Sequence, residues 1–129
     1  GEKLSALWGR FFQRIGELQN VVEPNRAYGI MANYDEATGE FDYIASCRVA
    51  SGEGLPADFV PVTVPDAHWA VFTTTMPGMA QTYPYIYSTW LPNSGYRHAP
   101  APEFELYGET FDPTDPAATF EIYIPVVKA

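Results

Sequence analysis

An α+β fold, with two helices on an antiparallel sheet, is what this 129-residue sequence predicts, and three observations lead there. Apolar residues recur at helical spacing in two stretches, one near the amino terminus and one past the middle. Between and after them lie runs rich in β-branched and aromatic residues, set off by Gly, Pro, Asn and Asp. The order helix, strand, strand then occurs a second time, now with a strand ahead of it. The chain therefore reads as duplicated β-α-β-β units with pseudo-twofold symmetry, the first strand of the first unit being missing.

Leu4, Leu7, Trp8, Phe11, Phe12, Ile15 and Leu18 form the apolar stripe of the first helix, with Arg10, Gln13, Arg14 and Glu17 opposite. Asn20 and then Pro24 and Asn25 end it. Residues 26–34 read as a strand, 35–39 as a turn and 41–50 as the hairpin partner. A Gly- and Pro-rich loop follows over 51–56. Residues 58–64 read as extended, but Pro61 and Pro65 exclude a central strand. Residues 69–75 form a strand that Pro77 and Gly78 break. Residues 79–91 read as the second helix, and Pro84, which fits a first helical turn, places its start near Thr82. Strands over 102–109 and 119–127 flank a turn at 112–116. The whole chain, 1–129, reads as a single domain with halves of about 1–56 and 57–129.

The residues support the repeat. Tyr34-Asp35, a turn and Phe41-Asp42-Tyr43-Ile44 echo Phe111-Asp112, a turn and Phe120-Glu121-Ile122-Tyr123. Each hairpin is preceded by a helix carrying a tryptophan, Trp8 in one half and Trp90 in the other. In this alignment Tyr28 is the counterpart of Glu105.

Charge narrows the function. The net charge is −9, and the seven Lys and Arg form no patch, so direct nucleic-acid binding is not expected. The acidic carboxyl-terminal part favours a cationic small molecule or a basic protein surface. Cys47 is the only cysteine, so no internal disulfide can form. No apolar run reaches the length of a membrane span, and a cytoplasmic location is expected. His68, His98 and Cys47 lack ligand spacing, and both histidines read as exposed, His68 after a Pro-Asp turn and His98 in a Pro-rich loop. No metal, no cofactor and no catalytic residue is expected. Ser94-Gly95 lacks the pattern of a nucleophile elbow, and Gly52-Glu53-Gly54 lacks the context of a phosphate loop.

Strand 102–109 carries the open question. Alternation puts Glu103, Glu105, Tyr107 and Glu109 on one face, and Phe104, Leu106 and Thr110 on the other. If the acidic face meets water it is ordinary. If it lines a cleft, a carboxylate beside aromatic rings is a receptor for a cation. The candidate walls are Tyr83, Tyr87 and Trp90 on the second helix, Trp8 and Phe12 on the first, Tyr28, and Tyr107 beside Glu105.

Six stretches in order carry a resemblance: Leu7-Trp8-Gly9-Arg10-Phe11, Tyr28-Gly29-Ile30, Trp69-Ala70-Val71-Phe72, Tyr87-Ser88-Thr89-Trp90-Leu91-Pro92, Phe104-Glu105-Leu106-Tyr107 and Glu121-Ile122-Tyr123-Ile124-Pro125. Together, over nearly the whole chain, they resemble the GyrI-like effector-binding domains. These form the ligand-binding part of many AraC-type and MerR-type transcription regulators, and occur alone as integron cassette proteins that bind cationic drugs. The resemblance implies a ligand cleft along the pseudo-twofold, between sheet and helices. It also implies that Glu105 meets the positive charge of a lipophilic cation. An empty site would then hold Glu105 either with its proton retained or hydrogen-bonded to a tyrosine hydroxyl. The sequence departs from the family in lacking the opening strand and a helix-turn-helix. Any regulatory role would therefore need a fused or separate DNA-binding partner; a homodimer is the other association expected. Two alternatives stay open: a hydrolase of strained electrophiles using Glu105, and an interaction module pairing through the sheet edge left open.

Overall fold

Strands β1 (Ala27–Ala32), β2 (Asp42–Ser46), β3 (His68–Thr75), β4 (Tyr96–His98), β5 (Glu103–Tyr107) and β6 (Thr119–Lys128) build one sheet in the computed structural model, which describes residues 2–35 and 37–129. The order is β2-β1-β5-β6-β3, every neighbouring pair antiparallel, with β4 also pairing β6. Helix α1 (Glu2–Arg14) runs on into a single 3-10 turn at Ile15–Glu17. Helix α2 (Met79–Tyr85) widens into a π-helical stretch at Ile86–Trp90 and closes with a short α-helical turn at Leu91–Asn93.

The duplication is visible in the sheet. β1 and β5 pair at its centre, and each has its hairpin mate outside it, β2 or β6. β3 adds beyond β6, whereas among the described residues no strand takes the equivalent place beyond β2. The expected turn over 35–39 includes Glu36, outside the described residues. The amide of Asp35 donates to the carbonyl of Glu40, and Gly39 adopts a φ of 73°, a left-handed conformation that glycine takes without penalty. Residues 58–64 form no strand, in keeping with Pro61 within them and Pro65 just after.

Two local expectations need correction. Pro84 sits inside α2 and not in its first turn, so the helix begins at Met79, before Thr82. Pro84 has no N–H to give the carbonyl four residues back, and the helix continues past it into the wider π-helical stretch. Residues 96–98 form β4 where a Pro-rich loop was expected. β4 and β5 lie end to end along one side of β6, separated at residues 99–102, where the amide of Ala99 donates to the carbonyl of Pro125. Pro125 offers no N–H on that side, so the ladder is interrupted there.

The core is one-sided. Ile86 lies fully buried against Phe120, Ile122, Ile124 and Val126, with Phe72, Trp90 and Leu91 packed around them. Burying side chains of this size stabilises by roughly 1.5–3 kcal/mol each. Helix α1 has no such anchor, since none of residues 3–14 is buried. It touches the sheet through the Trp8 ring, which meets Tyr43 and Tyr107 edge-on. The sheet beneath α1 is thus left uncovered in part, and a cavity opens there.

Candidate ligand-binding site

β5 crosses the middle of the sheet, and Glu105 is its central residue, facing the helices with 5% of its surface exposed. A buried carboxylate is costly unless donors meet it. Three tyrosine hydroxyls do so. Tyr107, two residues along the same strand face, donates to Oε1 at 2.7 Å, and Tyr43 of β2 donates to the same oxygen at 3.0 Å. Tyr83 of α2 donates to Oε2 at 2.7 Å. Trp8 of α1 adds a second layer, its Nε1–H donating to the Tyr43 hydroxyl at 3.3 Å. Among the described residues no buried side-chain nitrogen or oxygen is left without a partner.

Burial first, and then the negative charge of Glu105, pushes the Tyr43, Tyr83 and Tyr107 hydroxyls well above the ordinary phenol range. All three therefore stay protonated and act as donors at neutral pH. Of the roughly four acceptor positions on a carboxylate, three are occupied.

The carboxylate forms part of the wall of a cavity of about 1050 Å³ between the helices and the central strands. Leu4, Trp8 and Phe12 of α1 and Ile15 of the turn that follows line it together with Met76, Met79, Tyr107 and Phe111, and Arg26 and Glu109 also line it. The surroundings are apolar and aromatic, with Glu105 as the buried charge. A site of this kind accepts an apolar body and complements one positive charge.

The expected wall residues divide. Glu105, Tyr107, Trp8 and Phe12 line the cavity, Phe12 stacked on Trp8 at 5.6 Å between ring centres. Tyr83 reaches Glu105 from behind, outside the lining. Tyr87 and Trp90 do not line it. Tyr87 donates to Glu103 and stacks on His98, while Trp90 packs edge-on against Phe72 at 5.1 Å. Tyr28 lies on the opposite face of the sheet, where its hydroxyl donates to Glu23 and its ring meets Phe104. The ladder explains this: Glu105 pairs with Gly29 and not with Tyr28, and a shift of one residue sends a side chain to the other face. His98 is half-buried and not exposed, with Nε2 3.4 Å from Glu103 and Nδ1 2.6 Å from the Ala99 carbonyl.

Tyr43 is the site residue that sequence reasoning missed. The signal was in the repeat alignment, where Tyr43 falls at the position of Ile122, a fully buried residue beside Glu105. A polar-tipped ring at a core position on the carboxylate's face needs an acceptor.

Fold and site together define a duplicated α+β module with a carboxylate-bearing apolar cavity. The chain belongs to the family of integron-associated effector binding proteins, Cass2, whose model matches residues 2–126. It is 35% identical over 129 residues to the transcriptional regulator BrlR of Pseudomonas aeruginosa, covering 98% of this chain and 47% of that protein. The chain thus spans about half the length of that relative. No helix among the described residues is long and apolar enough to cross a membrane, and no group of His, Cys, Asp and Glu among them could hold a metal ion.

Proposed function

We propose that this protein binds amphipathic, cationic, aromatic small molecules in the cavity beneath α1, with Glu105 as counter-charge. One observation carries the reading: a buried carboxylate, held on both oxygens by tyrosine hydroxyls, forms part of an otherwise largely apolar wall. The hydroxyls reduce the cost of keeping the charge in place, and an incoming cation offsets what remains. Trp8, Phe12 and Tyr107 supply faces for an aromatic ligand, each cation–π contact contributing about 0.5–2 kcal/mol. The net charge of −9 assists by drawing cations from solution. Effector binding by the family and the regulator name of the relative support a role in sensing such compounds, with DNA contact supplied by another domain or partner.

Three tyrosine hydroxyls already fill most of the acceptor positions of Glu105 and lower its basicity, which favours a counter-ion over a general base. Titration with rhodamine 6G tests the proposal. Saturable binding that weakens little in moderate salt is expected, since the charge pair is buried. Equal affinity for a neutral dye of the same shape would refute it.

A further inference from the structure

We infer that Gly29 is the positioning residue of this site: its missing side chain is the space through which Tyr43 reaches Glu105. Gly29 sits in the middle of β1, paired with Ala45 on one side and Glu105 on the other. A glycine inside a central strand weakens it and calls for a reason. Backbone conformation is not that reason, because the positive-φ glycines are Gly39, Gly54 and Gly95. The reason is space. A Cβ built on Gly29 would lie 2.1 Å from the Tyr43 hydroxyl oxygen, 2.6 Å from its Cζ and 3.1 Å from Glu105 Oε1. The phenol end of Tyr43 therefore passes over Gly29 as the side chain crosses from the edge strand to the carboxylate. No contact distance below 3 Å to a ring carbon is tolerable, so any side chain here turns Tyr43 away. Because Tyr43 lines the cavity, turning its ring away alters the cavity wall as well as the bonds to Glu105. Gly29 thus sets both the hydroxyl count on Glu105 and the cavity wall beside it.

The inference builds on the reading of the cavity as a cation site, and its test separates the two. Gly29→Ala, Tyr43→Leu and the double variant are compared with the parent for melting temperature and for rhodamine 6G affinity. In an unobstructed strand, alanine is the more stable residue. Here Gly29→Ala is expected to lower Tm by about 5 °C or more and to weaken the dye by about tenfold or more. In the Tyr43→Leu background the shorter side chain leaves room for the Cβ. Adding Gly29→Ala there should leave Tm unchanged or raise it, and the double variant should bind dye more tightly than Gly29→Ala alone. If Gly29→Ala does not fold and the double variant does, the inference stands. A double variant that melts lower than Tyr43→Leu, or that fails to fold where Tyr43→Leu folds, overturns it. Rescue of Tm without dye binding by any form, the parent included, supports the steric role of Gly29 and refutes the cation-site reading.

Discussion

Replacing Glu105 by glutamine separates charge from shape. The amide keeps one oxygen, and the Oε1 position, which accepts from Tyr43 and Tyr107, is the better place for it. The amide nitrogen then faces the Tyr83 hydroxyl, which can turn to accept where it had donated. Charge-assisted bonds become neutral ones, a loss of roughly 1 kcal/mol each. Against that, a 5% exposed charge no longer has to be desolvated, which is worth several kcal/mol. The empty protein should therefore melt within a few degrees of the parent. Cation binding has no such compensation. Opposite charges about 4 Å apart at an effective dielectric near 20 attract by about 4 kcal/mol, and part of that survives solvent screening in an open cavity. A loss of about 2–4 kcal/mol, or roughly thirty- to thousandfold in Kd, is expected. Isothermal titration with rhodamine 6G measures it, with a neutral dye as control. If the glutamine variant binds the cation within threefold of the parent, Glu105 is not the counter-charge.

Three further outcomes follow from the same geometry. Tyr83→Phe removes a donor from the buried carboxylate and should cost about 1–3 kcal/mol in urea unfolding, whereas Tyr87→Phe, at an exposed ring bonded to Glu103, should cost less than about 1 kcal/mol. Reversal of that order would show the two tyrosine–glutamate contacts to be misranked. His98 is shifted upward, chiefly by its hydrogen bond to Glu103 and also by the Ala99 carbonyl, against the lowering effect of burial. A raised folded value means stability present in full below the unfolded value of about 6.5 and lost as pH rises through the folded one. The Tm gap between parent and His98→Gln should accordingly shrink with increasing pH, and a pH-independent gap would contradict the pairing. Finally, of Trp8, Trp69 and Trp90 only Trp8 lines the cavity. Dye quenching of tryptophan emission should fall sharply in Trp8→Phe and persist in Trp90→Phe; the opposite pattern would put the ligand elsewhere.

The elements were legible because each has a strong local cause. The α1 stripe from Leu4 to Leu18, the β-branched run 69–75 and the alternation of 119–127 lie at or near the observed bounds of α1, β3 and β6. The acidic face of β5 was legible too, since period two leaves no choice about which residues share it. What alternation cannot supply is the pairing between strands. The repeat matched Tyr28 to Glu105, while hydrogen bonding across the sheet pairs Gly29 there, and this one-residue difference carries Tyr28 to the far face. Tyr43 went unseen for the same reason, as its role depends on a long-range register and on an absent side chain one strand in from the edge. Helical stripes likewise name a face and not a neighbour. Tyr83, Tyr87 and Trp90 share a helical segment, yet they end against Glu105, Glu103 and Phe72 respectively.

The loose seating of α1 has a consequence for how anything enters. Phe12 is 54% exposed and Leu4 38%, while Ile86 on the other helical segment is wholly enclosed. Raising α1 breaks the Trp8–Tyr43 hydrogen bond, the exposed Arg14–Asp58 ion pair and a few ring contacts, and it leaves the Ile86 core intact. Its amides should exchange with solvent at a fraction of the global unfolding free energy, and far faster than those of β6. The roof of the cavity thus costs less to move than the helical segment anchored by Ile86. On the proposed reading, the lift of this helix sets which molecules enter, and Glu105 sets which of them stay.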